Sequence, residues 1–145
     1  MTVSNSLYNA IRKGLGDGTV DWDTDTIKVA LVTSSYTFDA AHDEWADVSA
    51  NEVAAGAGYT TGGIALSGKT VTLATTVAKY IADAPVWSSL TKTFRFGVVY
   101  KVGSANGLTD PLICCILFDT TPANIVVTAA DFTIQWNANG VIRLT

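Results

Sequence analysis

The sequence predicts a mainly β fold: a single antiparallel β-sandwich or barrel-like (jelly-roll-like) domain with one or two short helices. Three observations predict it. From residue 69 onward apolar residues recur at period two for most of the chain, as on a strand with one buried face. The segments are short and rich in Val, Ile, Thr and aromatic residues, which suit a pleated surface. Turn signals punctuate them, "GSANG", "DP", "TP" and "NANG". Short strands with turns at this spacing argue for a sandwich or barrel.

In chain order, the first element is a helix. Leu7, Ile11 and Leu15 recur at i, i+4 and i+8 with Tyr8 beside them, Asn5 or Ser6 offers a cap, and Gly14, Gly16 and Gly18 end the pattern. "TIKVALVT" (26–33) then alternates Ile27, Val29 and Leu31 against Lys28, Ala30 and Val32, a strand. "DAAHDEWADV" (39–48) predicts a short helix capped by Asp39, with Ala41, Trp45 and Val48 on one face. A Gly-rich loop follows, "AAGAGYTTGG". Further strands are expected at Lys69–Thr75, Ala78–Ile81, Val86–Ser88, Thr93–Val102, Leu112–Phe118, Phe132–Trp136 and Val141–Leu144. No repeat or linker divides the chain, so residues 1–145 form one domain, with an N-terminal helix or arm over 1–18 and a β core over 19–145.

Composition narrows the function. The chain has 145 residues, 48% of them hydrophobic and only 15% charged, which excludes disorder and leaves few charges to coat an isolated surface. A net charge of −4, with nine Lys and Arg spread along the chain, gives no footprint for nucleic acid. The first eighteen residues have no continuous apolar core of a signal peptide, and no apolar run approaches the length of a membrane span. Cys114 and Cys115 are adjacent and point to opposite faces of a strand, so they are expected as two reduced thiols of a protein folded in a reducing cytoplasm.

Several motifs suggest chemistry. Residues 63–70, Gly-Ile-Ala-Leu-Ser-Gly-Lys-Thr, match the phosphate-binding pattern G-x-x-x-x-G-K-[ST]. A working loop of that kind must open a helix. Here "TVTLATTV" follows, a β-branched alternation, and Ile64 and Leu66 are bulky where tight wrapping wants small residues. A turn between strands is the expectation. His42-Asp43-Glu44 contains the H-x-E of zinc deaminases, but Pro111-Leu112-Ile113-Cys114-Cys115 lacks the C-x-x-C half, and His42 is the only histidine. Asp21, Asp23 and Asp25 begin like a calcium loop that then carries Thr26 and Val32 in place of its Gly and Glu. His42 has no nucleophile-elbow motif nearby, and the acid pairs Asp43/Glu44 and Asp47/Glu52 read as solvated carboxylates. Tryptophans such as Trp136 beside Ile134 read as core. The residues therefore predict no enzyme, no cofactor and no metal.

The order of features over nearly the full length resembles a family of small virion proteins of tailed bacteriophages, the capsid auxiliary (decoration or cement) and other head–tail structural proteins. It is carried by a short helix running into "GLGDGTVDWDTDTIKVALVTSSYTFD", then "HDEWADVSANEV" and "GAGYTTGGIALSGKTVTL", then "APVWSSLTKTFRFGVVYK" and "DPLICCILFD", and a closing "FTIQWNANGVIRL". The resemblance implies a non-enzymatic protein of the virion surface that binds the major capsid protein, assembles with itself as a homotrimer, and contacts neither nucleic acid nor membrane. A tail or head-fibre component is the alternative within that class, and a carbohydrate-binding β-sandwich the alternative outside it. The apolar stripe Leu7, Tyr8 and Ile11 is the candidate capsid or subunit interface.

Overall fold

Three strands of the chain are apolar on both faces, and such strands are stable only in the middle of a fold. They are β2 (Ile27–Val32), β7 (Phe96–Lys101) and β10 (Leu112–Leu117), and nearly all their residues are buried. In the computed structural model, which describes residues 4–121 and 123–145, they form the centre of a five-stranded antiparallel sheet. Its order is β1-β10-β7-β2-β3, with β1 (Ser4–Leu7) and the two-residue β3 (Ile64–Ala65) at the edges.

Strand alternation sends the side chains of this sheet into two cores. Val29, Leu31, Val99, Cys114 and Ile116 enter the larger one. Ala30, Val32, Val98, Tyr100 and Cys115 enter the smaller. The adjacent cysteines are thus buried free thiols on opposite faces.

The larger core is closed by two further layers. One is a long two-stranded ribbon, β6 (Val86–Phe94) with β11 (Ile125–Thr133), which contributes Trp87, Leu90 and Phe94. The other is the antiparallel sheet β12-β5-β4, formed by β4 (Thr70–Ala74), β5 (Val77–Ile81) and β12 (Ile142–Leu144). Helix α1 (Asn9–Gly16) adds Ile11. The smaller core is closed by the aromatic segment after β2: Tyr36, Phe38, Trp45 and Val48 pack there with Tyr8, and Trp45 stacks on Tyr100 at 4.5 Å. The hairpin β8 (Ser104–Ala105) and β9 (Leu108–Thr109) completes the molecule. The fold is mainly β and sandwich-like, with one α-helix, as the sequence predicts.

Four expectations are corrected. Over the described residues of the N-terminal arm, Ser4–Leu7 is a strand paired with β10, and the helix starts only after Tyr8, which is extended and gives no side-chain cap; the first three residues of the expected arm lie outside the described residues. The helix expected over 39–48 is a turn followed by two 3₁₀ turns, Trp45–Asp47 and Ser49–Asn51. Asp39 there caps a turn, accepting from Ala41 N at 2.9 Å, while Asp47 accepts from Asp43 N and Glu44 N. The strand expected over Thr93–Val102 breaks at Arg95, where the chain crosses from ribbon to central sheet and Arg95 N donates to Val32 O. The strand expected at Phe132–Trp136 lies earlier, at Ile125–Thr133. Its alternation was hidden by irregularities around Ala129 and Ala130, where Ala129 takes φ +45°.

Candidate interaction surface

The sheet β12-β5-β4 is amphipathic, and its register shows how. Val71, Tyr80 and Ile142 form one row across the three strands, and Leu73, Ala78 and Leu144 the next. Paired residues share a face, so both rows lie on the apolar side. Thr72, Lys79 and Arg143 form the intervening row on the opposite side.

Only part of the apolar face is covered. Ile142, at the β12 end, is buried in the larger core, whereas Val71 and Leu73 at the β4 end are 41% and 77% exposed. β4 is also the sheet's edge, and all five of its residues are exposed. Between this sheet and α1 lies an open groove of about 280 Å³, with Leu7, Ile11 and Leu15 on one wall and Tyr80 and Leu144 on the other. Arg12 is its charged rim residue. The α1 wall follows from the i, i+4, i+8 spacing of those apolar residues. Gly14 seats the helix: a Cβ there would lie 2.6 Å from Val20 Cγ2.

Of the residues expected at an interface, Leu7 and Ile11 line this groove, Ile11 as its buried floor. Tyr8 does not. It is fully buried in the smaller core, its hydroxyl 2.9 Å from that of Tyr36, which in turn lies 3.0 Å from His42 Nδ1. Burial pushes the Tyr8 hydroxyl well above its ordinary range, so it stays neutral. Sequence reasoning missed Val71, Leu73, Tyr80 and Leu144. The alternation in "TVTLATTV" was the available signal, but it does not reveal that the apolar face stays open at the β4 edge.

The residues with catalytic or metal-binding patterns are engaged in structure. Gly63 and Gly68 flank β3 and a turn, and the segment after Lys69 is strand β4 rather than a helix, so no helix N-terminus faces the loop. Gly63 has φ +78°, and a Cβ there would lie 1.9 Å from Val29 O, which is why glycine stands at the entry to β3. Asp21 caps its own turn through Asp23 N and Thr24 N. Asp25 pairs with the mostly buried Lys101 at 2.7 Å. Glu44 accepts from Thr109 N, and Glu52 from Tyr59 hydroxyl and Gly62 N. Among the described residues no three His, Cys, Asp or Glu side chains gather as metal ligands. Burial pushes the Cys115 thiol up to about 12 and raises Cys114 as well, the latter also through its proximity to Cys115. Neither is a poised nucleophile.

In comparisons with known proteins, no family model, no curated protein and no solved structure matches the chain.

Proposed function

We propose that the chain is a non-enzymatic structural protein of a tailed-phage virion, a decoration or cement protein that binds the outer capsid surface and stabilises the shell. The half-covered apolar face of β12-β5-β4 carries this reading. A side chain as exposed as Leu73, on an edge strand without a charge, is a liability for an isolated protein. It becomes an asset when a partner covers it, since burying a leucine fully contributes about 1.5–3 kcal/mol. The full-length resemblance of feature order to phage virion proteins and the low charged fraction support the same reading. The partners are the major capsid protein and further copies of this chain, as a homotrimer. Folding takes place in the host cytoplasm. A tail or head-fibre component would use the same face. Among the described residues no helix is long and apolar enough to cross a membrane.

The mechanism is linkage: a protein that binds only the assembled shell stabilises that state by mass action. The test is reconstitution. Particles lacking the protein are incubated with wild type or Leu73→Lys, then pelleted and heated. Wild type is expected to co-sediment and raise the disruption temperature, and Leu73→Lys to do neither. Equal thermal resistance of particles with and without bound wild type would remove the cementing role.

A further inference from the structure

Beside the apolar groove, and meeting it at Leu7, two adjoining polar clefts open where β1, β12 and the turn after β11 meet. One, of about 220 Å³, is lined by Asn5, Asn137, Asn139 and Arg143. The other, of about 280 Å³, shares Asn5 and Asn137 and adds Gln135 and Trp136. No carboxylate lines either.

Much of the amide capacity here is unspent. Asn5 uses its Nδ2, toward Val141 O at 3.1 Å, and among the described residues its oxygen has no partner. Asn137 uses its Oδ1, accepting from Asn139 N at 2.8 Å, and among the described residues its amine has no partner. The turn that carries them is held: Gly140 N donates to Asn137 O, and a Cβ at Gly140, where φ is +77°, would lie 2.6 Å from Tyr80 O. Trp136 Nε1 donates to Asp83 O at 3.0 Å, which fixes its ring, partly buried against the larger core.

The charge pattern points the same way. Lys79 and Arg143 face each other directly across the β5–β12 pair. Like charges so placed are destabilising. Among the described residues neither has a carboxylate within ion-pair distance. Lys79 Nζ donates to Ala138 O at 3.0 Å, between the two cleft asparagines, and Arg143 lines the cleft itself.

We infer that these clefts form a binding site for a carboxylated saccharide. The amides offer donor and acceptor together, as sugar hydroxyls require. The guanidinium receives the carboxylate as a fork, and Lys79 adds charge behind it. The part of the Trp136 ring that lines the second cleft, outside the core, supplies an apolar platform for the pyranose. An inorganic anion would engage the cationic pair alone and leave the amides and the ring idle. The first cleft borders the apolar groove at Leu7, which lines both, but they share no polar residue, and the inference does not rest on that groove meeting a capsid.

The test is an NMR titration of the ¹⁵N-labelled full chain. The probes are carboxylated oligosaccharides built on galacturonate, glucuronate and sialic acid, neutral galactose oligomers, and inorganic sulfate. At least one acidic oligosaccharide is expected to shift the backbone resonances of 135–143, with Arg143→Gln and Lys79→Gln each weakening it at least about tenfold. Neutral oligomers are expected to bind at least about tenfold more weakly. Arg143→Gln should melt no lower than wild type, because it removes a like-charge contact, whereas Lys79→Gln also gives up the bond to Ala138 O and serves only as the second binding variant. The inference is overturned if no acidic oligosaccharide at ~10 mM shifts those resonances, if Arg143→Gln binds as wild type, or if sulfate or the neutral oligomers match the acidic ones.

Discussion

At the scale of single residues, burial and hydrogen bonding decide what a group does. The thiols of Cys114 and Cys115 are expected to resist alkylation at pH 8 in the native protein and to react on unfolding, read by mass spectrometry with and without denaturant. Their burial also sets a pH dependence. The unfolded thiol releases its proton near 9.0, whereas folded Cys115 holds it to about 12. Burial likewise raises the Tyr100 hydroxyl from 10.0 to about 12. In that window the unfolded state binds fewer protons, so this stabilisation is fully present below pH 9 and is lost as pH rises toward 12. Urea midpoints should therefore fall steadily from pH 9 upward; a flat profile to pH 11 would contradict the burial of these groups. Two tryptophans offer a second comparison. Both are buried, but Trp22 Nε1 donates to Ile81 O at 2.9 Å, whereas Trp87 Nε1 has no partner among the described residues. Replacement by phenylalanine should cost about 1 kcal/mol more at Trp22 than at Trp87, measured by denaturant unfolding.

At the scale of elements, the segment that imitates a phosphate loop is a strand, a turn and a strand. Gly63 serves the approach of β3 to β2, whereas Gly68 turns the chain where a Cβ would meet the Asp83 carboxylate. Gly63→Ala places a methyl against Val29 O in a left-handed conformation, and a loss of about 1–3 kcal/mol is expected. Lys69→Ala should leave stability within about 0.5 kcal/mol, because among the described residues its amine reaches only Leu66 O, at 3.5 Å. Millimolar ATP with Mg²⁺ should leave the melting temperature of wild type unchanged; a rise of several degrees that Lys69→Ala abolishes would show a nucleotide site after all. The same scale explains which elements were legible. β2, β4, β5 and β10 stand within two residues of their expected bounds, because their alternation or apolar runs are unbroken. The 39–48 segment has helical spacing in Ala41, Trp45 and Val48, yet tertiary packing won. Trp45 turns to stack on Tyr100, and Asp47 closes a 3₁₀ turn in place of a helical first turn.

At the scale of the whole molecule, the feature with functional weight is an imbalance between layers. The ribbon and α1 cover the central sheet, but the sheet β12-β5-β4 leaves its apolar face open at the β4 edge, where Val71 and Leu73 are exposed. Leu73→Lys is expected to leave the melting temperature within a few degrees of wild type, since little is buried there, while reducing self-association in light scattering. A monomer mass for wild type at micromolar concentration would remove the free trimer and leave the shell as the partner for that face. Val126, 69% exposed on the outer ribbon strand, provides the control, because its substitution by lysine lies away from the groove.

The sequence by itself determined the class of fold, the burial of the "LICCILFD" strand and the opposed, unpaired cysteines. Each depends on period-two alternation or on local steric preference, which act over a few residues. It also placed Leu7 and Ile11 on one stripe. Only the tertiary structure decided that Tyr8 leaves that stripe for the other core, that Lys79 meets Arg143 across a sheet, and that Asn5 joins Asn137 in a cleft. Those are juxtapositions of residues from 28 (Tyr8 and Tyr36) to 132 (Asn5 and Asn137) positions apart. They are set by which faces the layers bury against one another, and no local pattern carries that information.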